Sequence, residues 1–244
     1  MLDLIACEWM KWRRSRMLWL ILLGALLPAL LNFFVEVHNS GTGGEFGWKG
    51  YFGDNIMMMM MLMCPALFSL LIGYLFAREF QERTVNNMLT GPYSRNRVLA
   101  AKFIIAIPVL ASVLVLSFLL TFGSAFVFTS HLPSASTFWH SLGKYGLLLV
   151  LEYALVPISA AVALLWRSYI PAMGLGVFAV ISELTIMQSK YIMYYPWSAP
   201  LNMLDTMNEH YKSTSTGVIT MCVAFIVPLL FITMYFRRAD VHSG

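Results

Sequence analysis

A chain of 244 residues that is 59% hydrophobic and only 11% charged cannot hide its apolar side chains in one water-soluble core, because soluble domains carry about 25% charged residues. Lipid is its solvent, and its net charge of +4 follows membrane topology and does not mark a nucleic-acid partner. Cys7, Cys64 and Cys222 form no CxxC pair and the five histidines show no HExxH spacing, which excludes a disulfide framework and the common metal motifs.

Residues 1–16, MLDLIACEWMKWRRSR, place Leu2, Ile5, Trp9 and Trp12 at helical spacing, with Lys11, Arg13, Arg14 and Arg16 clustered behind them. The pattern predicts a basic amphipathic helix on the inner membrane surface. It reads as an interfacial anchor, to which a sharper reading adds an elbow that also touches a cytosolic partner. The first long apolar run lacks a cleavage signal and reads as a retained span.

A span needs about 20 mostly apolar residues. Six segments qualify: Leu18 to Val37, Asn55 to Ala77, Val98 to Phe128, Tyr145 to Trp166, Ile170 to Met187 and Gly217 to Phe236. The expected fold is therefore an all-α membrane protein with one transmembrane domain over 1–244: the surface helix, a six-span bundle over 18–236 and a tail at 237–244. Between the first two spans lies a glycine-rich and aromatic loop, read as flexible. The second span opens on the run Met57 to Met61, whose flexible side chains suit lipid contact, packing or varied apolar ligands. Only Arg167, Ser168 and Tyr169 join the fourth and fifth spans, a tight helical hairpin. The loop over 188–213 carries Tyr191, Tyr194, Tyr195, Trp197 and Tyr211, read as an aromatic belt at the headgroups or as a lip that contacts substrate, and a short interfacial helix is expected around Leu201, Met203, Leu204 and Met207.

Residues 78–102, REFQERTVNNMLTGPYSRNRVLAAK, form a polar island between the second and third spans. Glu79, Glu82 and Arg83 open it, an apolar turn with Val85, Met88 and Leu89 follows, and Gly91-Pro92 closes it. A short amphipathic helix across the membrane surface fits this pattern, and makes a docking site for a cytosolic protein. Basic residues fix its side. Lys11, Arg13, Arg14, Arg16, Arg78, Arg83, Arg95, Arg97, Lys102, Arg167, Arg237 and Arg238 fall on one face of the six-span topology. Lys49, Lys144, Lys190 and Lys212 fall on the other. Twelve against four places both termini and this loop in the cytoplasm.

Glu152 in the fourth span and Glu183 in the fifth lie within apolar sequence. An ionisable group at that depth is costly and marks either a polar pathway or an interhelical hydrogen bond. No GxxxxGK[ST] phosphate loop is present, and no nucleophile–base constellation accompanies the carboxylates.

Six spans, an N-terminal surface helix and a polar first cytoplasmic loop resemble the permease subunit of a type-2 ABC exporter. The loop carries the resemblance: Glu79, Glu82-Arg83-Thr84, Leu89, Pro92, Ser94-Arg95, Val98-Leu99 and Lys102. They are similar to that family's pattern of Glu, a Gly/Arg-Thr pair, Leu, Pro-x-Ser-Arg, Leu and Lys. Size and short loops look most like the permeases of lantibiotic- and bacitracin-immunity transporters. The resemblance implies a coupling helix formed by Glu79, Glu82, Arg83, Thr84, Val85, Met88 and Leu89. It implies two cytosolic ABC ATPase subunits that bind the ATP and Mg, and a second permease copy or paralogue. No cofactor is expected on this chain, and no catalysis. It further implies export of an amphiphilic peptide or lipid-like substrate from a bacterial plasma membrane. A proton-coupled secondary transporter using Glu152 and Glu183, or a membrane scaffold or sensor, remain alternative readings of the same residues.

Overall fold

The computed structural model of the chain describes residues 2–15, 17–82, 94–187, 189, 191–204 and 214–238. Among these every regular element is helical. α1 spans Leu2–Arg13, α2 Leu18–Gly41, α3 Trp48–Gln81 and α4 Arg95–Ala125. α5 spans Ala135–Leu165, α6 Ile170–Ile186, α7 Ala199–Met203 and α8 Thr214–Arg238. Five of them (α2, α3, α4, α5 and α8) are long and apolar enough to cross a membrane. α6, expected as the fifth of six spans, has 17 residues, the lower limit of the range of about 17–25 that hydrocarbon requires.

α3 is the axis of the bundle. Of its apolar window 61% is buried inside the protein, against 22% for the peripheral α8. α5 and α6 pack on its lower half, α6 also packs on its middle, α2 lies against α4, and α8 leans on α5. The middle of α3, Met59–Phe68, is a π-helix that contains Pro65. A proline inside an α-helix lacks an N–H and its ring meets the carbonyl four residues earlier. Widening the turn to i→i+5 accommodates the ring without ending the helix.

Close helix approach depends on missing Cβ atoms. A Cβ on Gly176 of α6 would lie 2.5 Å from the Pro65 carbonyl oxygen and 2.9 Å from the Ala66 Cα, and one on Gly73 of α3 would lie 2.6 Å from the Ala172 Cβ. The π-helix and α6 thus touch backbone to backbone, the small-residue contact that lipid-embedded helices favour. Interhelical hydrogen bonds add to it. The Asn55 Oδ1 accepts from the Ser117 hydroxyl at 3.0 Å and the Tyr145 hydroxyl at 2.6 Å, joining α3, α4 and α5. The Asn32 amide donates to the Tyr51 carbonyl at 3.0 Å, joining α2 to α3.

Two helices begin about two turns or more before their apolar patterns suggest. α3 starts at Trp48, not Asn55, because Trp48, Tyr51 and Phe52 share one helical face and pack into a ring cluster. Trp48 stacks on Phe52 at 5.8 Å and Phe52 on Phe118 at 5.1 Å. The Trp48 indole also donates to the His131 carbonyl at 3.1 Å, so this part of the loop expected to be flexible is anchored helix. α5 starts at Ala135, not Tyr145, because the Ser134 hydroxyl caps it by accepting from the Thr137 N–H at 3.2 Å.

The α5–α6 hairpin forms as expected, and its turn has a defined motif. The Ser168 N–H donates to the Ala163 carbonyl and the Arg167 N–H to the Leu164 carbonyl, with Arg167 at φ 50°. This is a Schellman ending with arginine where glycine is usual. The guanidinium lies 5.9 Å from the Phe80 ring centroid of α3, and Gln81 donates to the Ser168 hydroxyl at 3.2 Å. The hairpin tip is thereby seated on the end of α3.

After α6 the chain turns inward. Ile192, Met193, Trp197, Leu201 and Leu204 are all buried, while Tyr191 and Tyr194 are exposed. The aromatic belt expected here is split: two tyrosines face out and Trp197 faces in. The short helix expected nearby is α7, which packs against the bundle; Met207 and Tyr211 fall outside the described residues.

Replacing Gly176 with alanine puts a methyl group into backbone that cannot yield, at a cost of about 1–3 kcal/mol. Gly123→Ala, where nothing lies within 4 Å, is the control. Thermal unfolding in detergent should show a lower midpoint for the first variant and none for the second; equal midpoints would refute the contact.

Candidate functional site

Two polar constellations lie inside this apolar bundle. The first binds the roots of residues 83–93, the segment joining α3 to α4. Lys102, one turn into the apolar part of α4, is 4% exposed. Its ammonium donates to the Glu79 Oε2 at 2.6 Å and to the Leu75 carbonyl at 2.6 Å, and lies 3.5 Å from the Glu8 Oε2. Lys11 of α1 donates to Glu8 at 2.6 Å and to the other Glu79 oxygen at 3.4 Å. Two carboxylates and two ammonium groups therefore alternate across α1, α3 and α4. Around them Arg78 donates to the Lys11 carbonyl at 2.9 Å and to Glu82 at 2.7 Å. Trp12 packs edge-on against Tyr74 at 6.2 Å, and Ser15 donates to the Tyr74 hydroxyl at 3.2 Å.

Partial burial pulls the Lys11 ammonium down, but its hydrogen bond to Glu8 and the fields of Glu8 and Glu79 outweigh that and hold its pKa above the ordinary lysine value. Placed this way, α1 turns Glu8 and Trp12 inward and leaves Trp9, Arg13 and Arg14 exposed. Of the expected docking residues, Glu79 is buried in the network and Glu82 is exposed. Arg83, Thr84, Val85, Met88 and Leu89 lie outside the described residues. Glu8 and Lys102 carry the network but were not singled out from the sequence as its members. The signal for Glu8 was a carboxylate one turn before Lys11, on the inward face that it shares with Trp12.

The second constellation lies deeper. Glu152 of α5 is 4% exposed and Glu183 of α6 is fully buried. Glu152 lines a narrow cleft with Cys64, Ser69, Ser159 and Trp197, and Ser69 and Ser159 share a hydrogen bond at 3.0 Å. Neither carboxylate oxygen of Glu183 finds a hydrogen-bond partner among the described residues. The neighbouring Ser182 hydroxyl pairs with the Tyr195 hydroxyl, which pins the inward-turned segment over the end of α6. Both carboxylates face the protein interior, from adjacent helices, beside the π-helix. Oxygens left without donors in an apolar bundle are costly, and groups of this kind mark transport routes or switching elements. Among the described residues no group of three or more His, Cys, Asp or Glu side chains is placed to hold a metal ion.

Residues 4–183 match the family described as ABC-2 family transporter protein. The chain is also 21% identical over 191 residues to a bacitracin transport permease protein, BCRB, of Bacillus licheniformis, a match that covers 78% of this chain and 92% of the relative.

Removing one member of the buried network strands its partners. Lys102→Met leaves the buried Glu79 with only the 3.4 Å contact to Lys11, which Glu8 shares, and should cost about 3–5 kcal/mol. Adding Glu79→Gln to that variant should recover a substantial part, because one of the two carboxylates left to share Lys11 disappears. Unfolding midpoints of the single and double variants measure this; strictly additive losses would mean that the groups are not coupled.

Proposed function

Because the chain belongs to the ABC-2 transporter family, we propose that it is the permease subunit of an ATP-driven exporter that removes an amphiphilic peptide antibiotic or a lipid-like substrate from the membrane and confers resistance to it. Members of this family are the transmembrane subunits of ABC transporters, and the chain is a multi-pass membrane protein. The substrate class draws support from the bacitracin transport permease to which the chain is similar. The reading includes six spans, with α6 as the fifth, both termini in the cytoplasm and a bacterial plasma membrane. It includes a second permease copy or paralogue and two cytosolic ATPase subunits that hold ATP and Mg.

The observation that carries the mechanism is the buried network at the roots of residues 83–93. In our reading this segment, with the exposed Glu82, docks on the ATPase as a coupling helix. Glu79 acts one step behind it as a positioning residue. The Lys102–Glu79 pair ties α4 to α3 at 2.6 Å, and Glu8 and Lys11 add α1. A push on the segment is delivered to three helices as one body. Switching a two-state permease almost completely takes about 5.5 kcal/mol of differential binding, a demand that rigid roots transmit and flexible ones dissipate. The π-helix and Gly176 carry the displacement on to α6, where Glu152 and Glu183 line the candidate pathway. The unpartnered Glu183 favours a second reading, in which that carboxylate carries protons for a secondary transporter that needs no ATPase.

Two experiments separate these readings. Glu82→Ala with Arg83→Ala should weaken ATPase co-purification and abolish ATPase stimulation while leaving the folded yield intact; unchanged binding and stimulation remove the coupling assignment. Glu183→Gln keeps the shape and loses the charge, whereas Glu183→Leu loses both. A pathway role predicts that Gln impairs efflux at normal expression. A packing role predicts that Gln is tolerated and Leu lowers the folded yield. Efflux that persists without an ATPase and stops in Glu183→Gln would favour proton coupling.

A further inference from the structure

The methionine run of α3 belongs to neither constellation. Asp54, Met57, Met58, Met61 and Leu62 recur at intervals of three and four residues, so they share one face of α3. With Val35 of α2 and Leu184 of α6 this face lines a groove of ≈ 410 Å³. The groove runs between three helices and opens toward lipid: Val35 is 41% and Leu184 50% exposed. From Asp54 to Leu62 the helix rises by roughly 12 Å. Asp54 is its one charged lining residue, exposed at the end away from α1. Among the described residues nothing donates a hydrogen bond to the Asp54 carboxylate, and neither Lys49 nor any other cation pairs with it. Glu36, next to Val35, brings a second negative charge to the same end.

We propose that this groove binds a cationic amphiphile from the leaflet away from α1, its chain along Met57, Met58 and Met61 and its positive head group on Asp54. The chemistry of each part argues for that occupant. The volume is in the range of small-molecule sites, about 300–1,000 Å³. Thioether side chains have three rotatable bonds and a polarizable sulfur, so they fit chains of differing shape. Selectivity then has to come from the head group. An unpaired carboxylate at the edge of hydrocarbon attracts an ammonium or guanidinium, repels a phosphate or sulfonate, and gains little from a neutral hydroxyl. Beside Leu184 lies Glu183, so an occupied groove abuts the helix that carries the candidate pathway. The proposal deepens the permease reading and rests on it for its biological sense, but the binding itself requires neither ATPase nor transport.

The test uses the full chain in phosphatidylcholine nanodiscs and three photoreactive alkyl-diazirine probes of equal chain length, with trimethylammonium, hydroxyl and sulfonate heads. After irradiation the labelled peptides are mapped by mass spectrometry. The ammonium probe should label Met57–Leu62 and the neighbourhood of Leu184, about fivefold more than the hydroxyl probe, with the sulfonate probe weakest. Asp54→Asn should bring the ammonium probe down to the hydroxyl level and leave the hydroxyl probe unchanged. Asp54→Glu should retain the preference, which guards against a folding defect. Met58→Trp should fill the groove and reduce labelling by both probes. Equal labelling by all three heads would make the groove an ordinary lipid contact and overturn the proposal, as would a cation preference that survives Asp54→Asn or maps elsewhere. Failure of ATPase co-purification would remove the permease reading and leave these results untouched.

Discussion

A buried ammonium fixes much of this structure. Lys102 lies inside the apolar bundle, where an unpaired charge would cost several kcal/mol, so the fold must bring carboxylates to it. Glu79 comes from α3 and Glu8 from α1. Once both are in place, α1 has no freedom to lie elsewhere along the membrane surface, and α3 and α4 leave their common end at a set spacing. The remaining donors of this end, Arg78 and Lys11, extend the same constraint to the first and last residues of the cluster. A surface helix that would otherwise be held only by lipid becomes an integral part of the bundle.

From that end the constraint passes along α3. The helix is long and apolar enough to span and yet changes its own geometry halfway, at the wider π turn that holds Pro65. At that level α6 approaches so closely that only glycine fits at position 176. Glu152, Glu183, Ser69, Ser159 and the inward-turned Trp197 gather around the same level. One helix thus connects the ion-pair network, the intramembrane carboxylates and the methionine-lined groove. In the proposed mechanism a displacement of the end that carries Glu79 reaches all three, since packed interiors transmit strain.

How far the sequence could be read followed the physics of each signal. Long apolar runs announce helices clearly, and all six expected segments are helical, the fifth with 17 residues. Their starts were harder. Trp48 to Phe52 looks like loop because glycines and a lysine interrupt it, and only the ring stacking of Trp48 on Phe52 and of Phe52 on Phe118 reveals a helix. Ala135 to Lys144 looks polar, and a single serine cap extends α5 through it. The inward faces of Glu152 and Glu183 were legible because hydrocarbon tolerates no other placement. The partnership of Glu8, Lys11, Glu79 and Lys102 was not, since it joins residues 68 and 23 positions apart and local spacing carries no trace of such contacts. Trp197 was misplaced for a related reason. An aromatic-rich loop reads as an interfacial girdle until the shortness of α6 shows that the following residues must complete the bundle.

The Schellman turn at Arg167 bears on how the chain enters the bilayer during synthesis. Taken alone, α6 is a poor candidate for insertion, being short and carrying a carboxylate one turn from its end. Its partner α5 has 31 residues and ample apolar length. A turn this tight lets the two helices enter as one antiparallel unit, with Glu183 facing protein instead of lipid from the outset. Arg167 itself is exposed at the hairpin tip, where its positive charge stays out of the apolar bundle. A backbone conformation that strains one residue by about 1–2 kcal/mol is therefore tied to the route by which the least lipid-compatible helix reaches its place.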